Sequence, residues 1–263
     1  MIMQRTGPCN CLAIFEWGEE IDQGQWYDIA SQFFHELGVE PTHGALEKPS
    51  SNAKALETIP ALEVKLEKKK YKPDFGLSVF STIPKFNQLV FGWYVCAELS
   101  FVPDKSMQFC FKDGIGEPYV DMFERVAERV CELVSPVYGF GYQRPFDKGP
   151  DFYAFGMVSG LDYSKEEMRQ KDTIAAWSHE LMGRKRHLQG MLRDVYPLNL
   201  ISDSHAAMRI NGLPLVDWIT QEPSHGTIQR IAQSCWLWTV EKRWLRKVKS
   251  ELNEADFLIC PDL

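Results

Sequence analysis

The spacing of apolar and polar positions changes along the chain, and each change predicts an element. Cys11 to Trp17 is a nearly unbroken apolar run of strand length. From Trp26 to Leu37, Ile29, Phe33 and Leu37 recur at helical steps until Gly38 stops them. Residues 41–59 are rich in Pro, Ser, Gly and Asn, carry little periodicity and read as a surface loop. From Ala61 the segment ALEVKLE alternates apolar and charged residues as a half-buried antiparallel strand does. YKPDFGLSVF, NQLVFGWYVCAELSF and SMQFCFK continue in strand composition, so a meander of three or four strands is expected. Pro118 then opens a helix over 118–134, where Val120, Phe123, Val126, Ala127, Val130 and Val134 form one apolar stripe made to pack on that sheet.

PVYGFGYQRP and GPDFYAFGM read as two aromatic strands joined by a Pro/Gly turn. Residues 161–189 predict one helix built around Ile174, Trp177 and Leu181, ending at the basic tetrad Arg184, Lys185, Arg186 and His187. This is the expected junction between an N-terminal half, 1–160, and a C-terminal half, 161–263, packed together as one unit. WLWTV, then Glu241 to Glu254, then Phe257 to Cys260 read as a closing strand, helix and strand. The predicted class is α+β: an antiparallel or mixed sheet with helices packed on one face, plus a smaller C-terminal strand–helix–strand unit.

Composition narrows the function classes. With 263 residues and 44% of them hydrophobic, the chain can bury a sizeable core. The first twenty residues lack the apolar core of a secretory signal, and no apolar run approaches the ~20 residues of a membrane span, so the expected location is the cytoplasm. Seven cysteines sit mostly inside apolar runs, where the thiol acts as a small hydrophobe in a reducing compartment. Cys9 and Cys11 have no second Cys/His pair at zinc spacing, so neither a metal nor a cofactor is expected.

Of the net charge of −7, residues 1–60 supply nine acidic against three basic side chains. That balance argues against nucleic acid and suits a basic protein partner. Glu16, Glu19, Glu20, Asp22 and Asp28 fall within thirteen residues and form a candidate partner-binding rim at the end of the first strand.

No phosphate loop, nucleophile elbow or metalloprotease motif is present. The stretch from Gly190 to His205 nevertheless places Arg193, Asp194, Tyr196, Asn199, Asp203 and His205 among apolar residues. One reading is catalytic: a hydrolase or transferase in which Asp203 and His205 form an acid–base pair and Arg193, with Asp194, clamps an anion. The other is structural, with an Arg–Asp pair, a Tyr hydroxyl and an Asn amide satisfying the backbone of a partly buried loop. His179 and His187 read as exposed helix residues, and His225 lies in a turn with no assigned role. The basic runs at 68–72 and 184–186 read as edge lysines and a helix end. Eight tryptophans read chiefly as core, with some available to an interface.

The segments PVYGFGYQRP and GPDFYAFGM, followed by GMLRDVYPLNLIS, INGLPLVDWI, HGTIQRI and CWLWTVEKRWLRKVKSEL, are similar to a group of bacterial proteins that resemble the immunity proteins of contact-delivered and polymorphic toxin systems. The resemblance covers roughly residues 136–260. It implies a non-enzymatic inhibitor that acts by binding a toxin, and the acidic rim would then meet a basic toxin domain.

Overall fold

The computed structural model describes residues 7–47, 56–69, 76–82, 93–101, 105–115, 118–157 and 165–260. Its centre is a ten-stranded sheet. The strands, in chain order, are β1 (Pro8–Phe15), β2 (His43–Glu47), β3 (Glu57–Thr58), β4 (Gly76–Thr82), β5 (Trp93–Ser100), β6 (Ser106–Lys112), β7 (Tyr138–Pro145), β8 (Leu198–Ser202), β11 (Thr227–Ala232) and β12 (Cys235–Thr239). A separate two-stranded ribbon joins β9 (Arg209–Ile210) to β10 (Leu213–Pro214).

The order across the large sheet is β11-β12-β8-β7-β1-β6-β5-β4-β2-β3, with every ladder antiparallel. The expected meander is β4-β5-β6. The α+β class is therefore observed, and β7 pairing with β8 lets one sheet draw strands from both sides of residue 160.

The middle of the sheet is buried on both faces, which is why β1 and β6 are buried along almost their whole length, Asn10 and Gln108 included, and show no apolar–polar alternation. Leu12 and Ile14 point to one face, covered by α1 (Gln23–Glu36), α2 (Ile59–Lys69) and α3 (Tyr119–Leu133). Cys9, Cys11, Ala13 and Phe15 point to the other. That face is covered by α4 (Pro150–Tyr153), α5 (Lys165–His179), α7 (Leu215–Gln221) and α8 (Leu245–Glu254). Helices on one face thus describes α1 to α3, while the later helices lie across the opposite face.

Helix α3 buries Phe123, Val126, Ala127 and Val130 of the expected stripe, with Val134 buried just past its end; Met122 and Cys131 join them, and Val120 is only half-buried. It is tied to α1 by ion pairs from Arg125 and Arg129 to Glu36.

Three expectations are corrected. The alternating segment ALEVKLE is helix α2, not a strand. Pro60 suits a helix start, and the buried residues Leu62 and Leu66 stand four apart while Val64 between them is exposed. Leu62 fits against Gly44 of β2, where an added Cβ would lie 2.4 Å from its Cδ2. GPDFYAFGM is not a strand either, because Gly149 at φ +57 and Pro150 start the short helix α4. Phe257 to Cys260 makes only a single parallel bridge, Leu192 to Leu258.

The expected surface loop at 41–59 holds β2 and β3, with 48–55 outside the described residues. Of the basic run at 68–72, Lys68 and Lys69 end α2 and residues 70–72 lie outside the described residues.

Candidate functional site

The polar stretch 190–205 lies against the α4–α5 face of the sheet. The terminal strap fixes its start: Ile259 N–H donates to Leu192 O at 2.8 Å and Cys260 N–H to Arg193 O at 2.8 Å, while the Arg193 N–H donates to the Tyr138 hydroxyl at 2.9 Å. The irregular loop expected here gives way to strand β8, inserted between β7 and β12. Asn199 clasps its start, accepting from Tyr196 N–H at 3.0 Å and donating to Tyr196 O at 2.7 Å.

Arg193 is fully buried. Its guanidinium carbon stands 4.2 Å from the centre of the Tyr153 ring, 5.1 Å from Phe140 and 5.5 Å from Trp177, so aromatic faces surround the cation. Nη1 donates to Ala154 O at 3.4 Å, whereas Nε and Nη2 find no hydrogen-bond acceptor among the described residues. The cage is itself braced, with Phe140 stacked on Tyr196 at 4.5 Å and the Tyr153 and Tyr196 hydroxyls 3.2 Å apart.

Asp194 does not pair with Arg193. One of its oxygens accepts from Val195 N–H at 2.8 Å, and the other lies 3.0 Å from Lys249 Nζ on α8. Burial pushes its carboxyl up to about 6 despite Lys249. The fold therefore holds this proton longer than the unfolded chain does, and the group costs stability above that pH and is relieved as pH falls.

Asp203 and His205 both belong to the four-residue helix α6 (Asp203–Ala206), yet they face different neighbours. Asp203 is half exposed and accepts from Arg230 Nη2 and Trp236 Nε1, each at 2.7 Å. His205 is buried, its Nδ1 is 2.9 Å from Ser202 Oγ, and its ring stacks on Tyr138 at 5.4 Å. The Asp203 carboxylate is thus partnered by Arg230 and Trp236 and the His205 imidazole by Ser202, so the two do not pair with each other.

Burial, with His187 nearby, lowers the His205 pKa to about 3. A base held neutral in the fold is protonated first in the unfolded chain. The stability it contributes is complete above about pH 6.5 and drains away as pH falls toward 3. Between pH 7.5 and 5 the loss through this one group should be about 2 kcal/mol. Urea titrations of the wild type and of His205→Gln across that range check it: the difference between the two curves should carry this slope, and parallel curves would contradict it.

On the acidic rim, three of the five side chains are engaged. Glu16, at φ +54, lies 2.7 Å from Lys185 Nζ. Glu19 Oε2 accepts from Ser135 N–H at 3.2 Å, and Asp22 caps α1, accepting from Gly24 N–H at 2.8 Å and Gln25 N–H at 3.2 Å. Lys105 Nζ also donates to the carbonyls of Trp17 and Glu19. Glu19, Glu20, Asp22 and Asp28 remain exposed.

Two histidines read as surface or idle are built into the core. His187 is buried, edge-on to Trp177 at 5.2 Å. His225 stacks on Trp218 at 3.8 Å, donates from Nδ1 to Trp218 O at 2.8 Å and places Nε2 3.0 Å from Glu251. The aromatic richness around these positions was the available signal. Trp17, Trp26, Trp93, Trp177, Trp218 and Trp238 are buried, and Trp236 and Trp244 are partly so. Among the described residues no cluster of His, Cys, Asp and Glu has the geometry to hold a metal ion, and no helix is long and apolar enough to cross a membrane.

No family model and no curated protein matches the chain. Among solved structures, the fold is similar to that of the Pseudomonas aeruginosa T6SS protein PA0821. The two share 10% identity with a TM-score of 0.57, over 96% of this chain and 73% of that one. At that identity the likeness is one of fold.

Proposed function

We propose that this chain is a non-enzymatic protein-binding protein, an immunity-type inhibitor that acts by docking on a basic domain of a bacterial toxin. The observation that carries the reading is the closure of the polar stretch. Arg193, Asp194 and His205 are buried, and Asp194 and His205 meet partners inside the fold. Asp203 turns away to Arg230 and Trp236. A catalytic site needs its acid, base and anion clamp to converge on a space a substrate can reach. The fold shared with a T6SS protein and the resemblance of residues 136–260 to toxin-immunity proteins support the same reading.

The exposed charges at the mouth of α1 would form the docking rim. Because Glu16, Glu19 and Asp22 also hold the fold together, the informative variant reverses only Glu20 and Asp28. With a toxin domain in hand, stopped-flow association should slow several-fold in Glu20→Lys/Asp28→Lys at low salt, and the difference should fade as ionic strength passes ~0.1 M. Melting should be unchanged, since exposed charges contribute little to stability. An unaltered rate and salt slope would place the docking face elsewhere.

A further inference from the structure

Cys131, in the last turn of α3, and Cys235, the first residue of β12, bring their sulfurs to 3.1 Å across 104 residues of sequence. That is closer than the roughly 3.5–4.0 Å at which carbon atoms rest in contact, and about 1 Å beyond a bonded pair. Both residues are buried, Cys235 completely and Cys131 at 9% exposure, and the Cys235 thiol has the Pro136 carbonyl as its other neighbour at 3.7 Å.

The remaining close thiols have a different geometry. Cys9 and Cys11 are two residues apart on one strand with sulfurs 3.9 Å apart, at the stretched limit of the Cα separation a disulfide spans. Cys11, Cys110 and Cys96 stand opposite one another on β1, β6 and β5.

We propose that Cys131 and Cys235 are a modification site: a dithiol that a low-molecular-weight disulfide such as oxidised glutathione converts to a structural disulfide, stapling α3 to the C-terminal hairpin. The chemistry is two exchanges. Cys131 loses its proton and its thiolate attacks one sulfur of the glutathione disulfide, forming a mixed disulfide and expelling one glutathione thiolate. The Cys235 thiolate then attacks the Cys131 sulfur and expels the second. The two protein thiols lose two protons and two electrons, and two glutathione thiols gain them. Hydrogen bonding to Cys235 and burial push the Cys131 thiol well above its ordinary range, so the exchange is slow and the product is a staple rather than a rapid sensor. Closing so long a loop removes much of the unfolded chain's freedom.

The test equilibrates the full chain overnight in oxidised and reduced glutathione mixtures, then counts thiols by alkylation in denaturant and maps linked peptides by mass spectrometry. The expected result is the loss of two of seven thiols, a Cys131–Cys235 linked peptide two hydrogens lighter, and a melting temperature raised by roughly 5 °C or more. In Cys131→Ala both the linkage and the shift should be absent. Seven alkylated thiols at every glutathione ratio, or a linkage confined to Cys9, Cys11, Cys96 and Cys110, overturns the proposal. Both readouts are made on the wild type, so a poorly folding variant leaves the test intact.

Discussion

Replacing Val126 by Asp should abolish the cooperative thermal transition. Val126 is fully buried in the α3 stripe between α1 and the sheet, and the neighbouring Arg125 and Arg129 of the same helix are already paired with Glu36. Burying an unpaired charge costs several kcal/mol, against a total stability of about 5–15 kcal/mol for a domain. Circular dichroism should show a broad or missing melt, whereas Glu132→Lys, exposed in the last turn of the same helix, should melt as the wild type does. A wild-type melt for Val126→Asp would remove α3 from the core.

The second large effect separates charge from volume at Arg193. Its guanidinium is packed by Tyr153, Phe140 and Trp177, and two of its donors go without an acceptor among the described residues. Arg193→Ala empties that space and should cost about 3–5 kcal/mol, the range for large-to-small changes in cores. Arg193→Met keeps most of the volume and removes a cation that is ion-paired to no carboxylate, Asp194 being held by Lys249, so it should cost under ~1.5 kcal/mol or stabilise. Chemical denaturation of the two variants decides the matter. Equal, large losses would mean that the positive charge itself holds the core together.

These residues also show what the sequence could convey. Helices α1 and α3 were readable because their buried residues keep a three- and four-residue spacing and no competing period. Helix α2 was not, because Leu62, Val64 and Leu66 satisfy an alternating pattern while only the first and last are buried. Strand β11 mixes exposed and half-buried residues at the edge of the sheet and shows no clean alternation. Aromatic content suggested a strand at GPDFYAFGM, and the Gly149–Pro150 turn overruled it.

The polar stretch stood out in the sequence, but its partners did not. The cage around Arg193 comes from β7, α4 and α5, and the Lys249 that takes Asp194 comes from α8. Adjacency in sequence suggested an Arg193–Asp194 pair and an Asp203–His205 pair. The fold sends each of those four side chains to a different neighbour.

The central claim is that this chain protects by binding rather than by catalysis, and co-expression tests it most directly. Each toxin domain encoded in the chain's own host is expressed alone and together with this chain, growth is followed, and the purified pair is run by size-exclusion chromatography with light scattering. The account predicts that one toxin loses its effect on growth and forms a stoichiometric complex with the chain. His205→Gln, altered only inside the fold, should protect equally well. Protection without a complex, or protection lost in a folded His205→Gln variant, would contradict it and return the Gly190 to His205 stretch to catalysis.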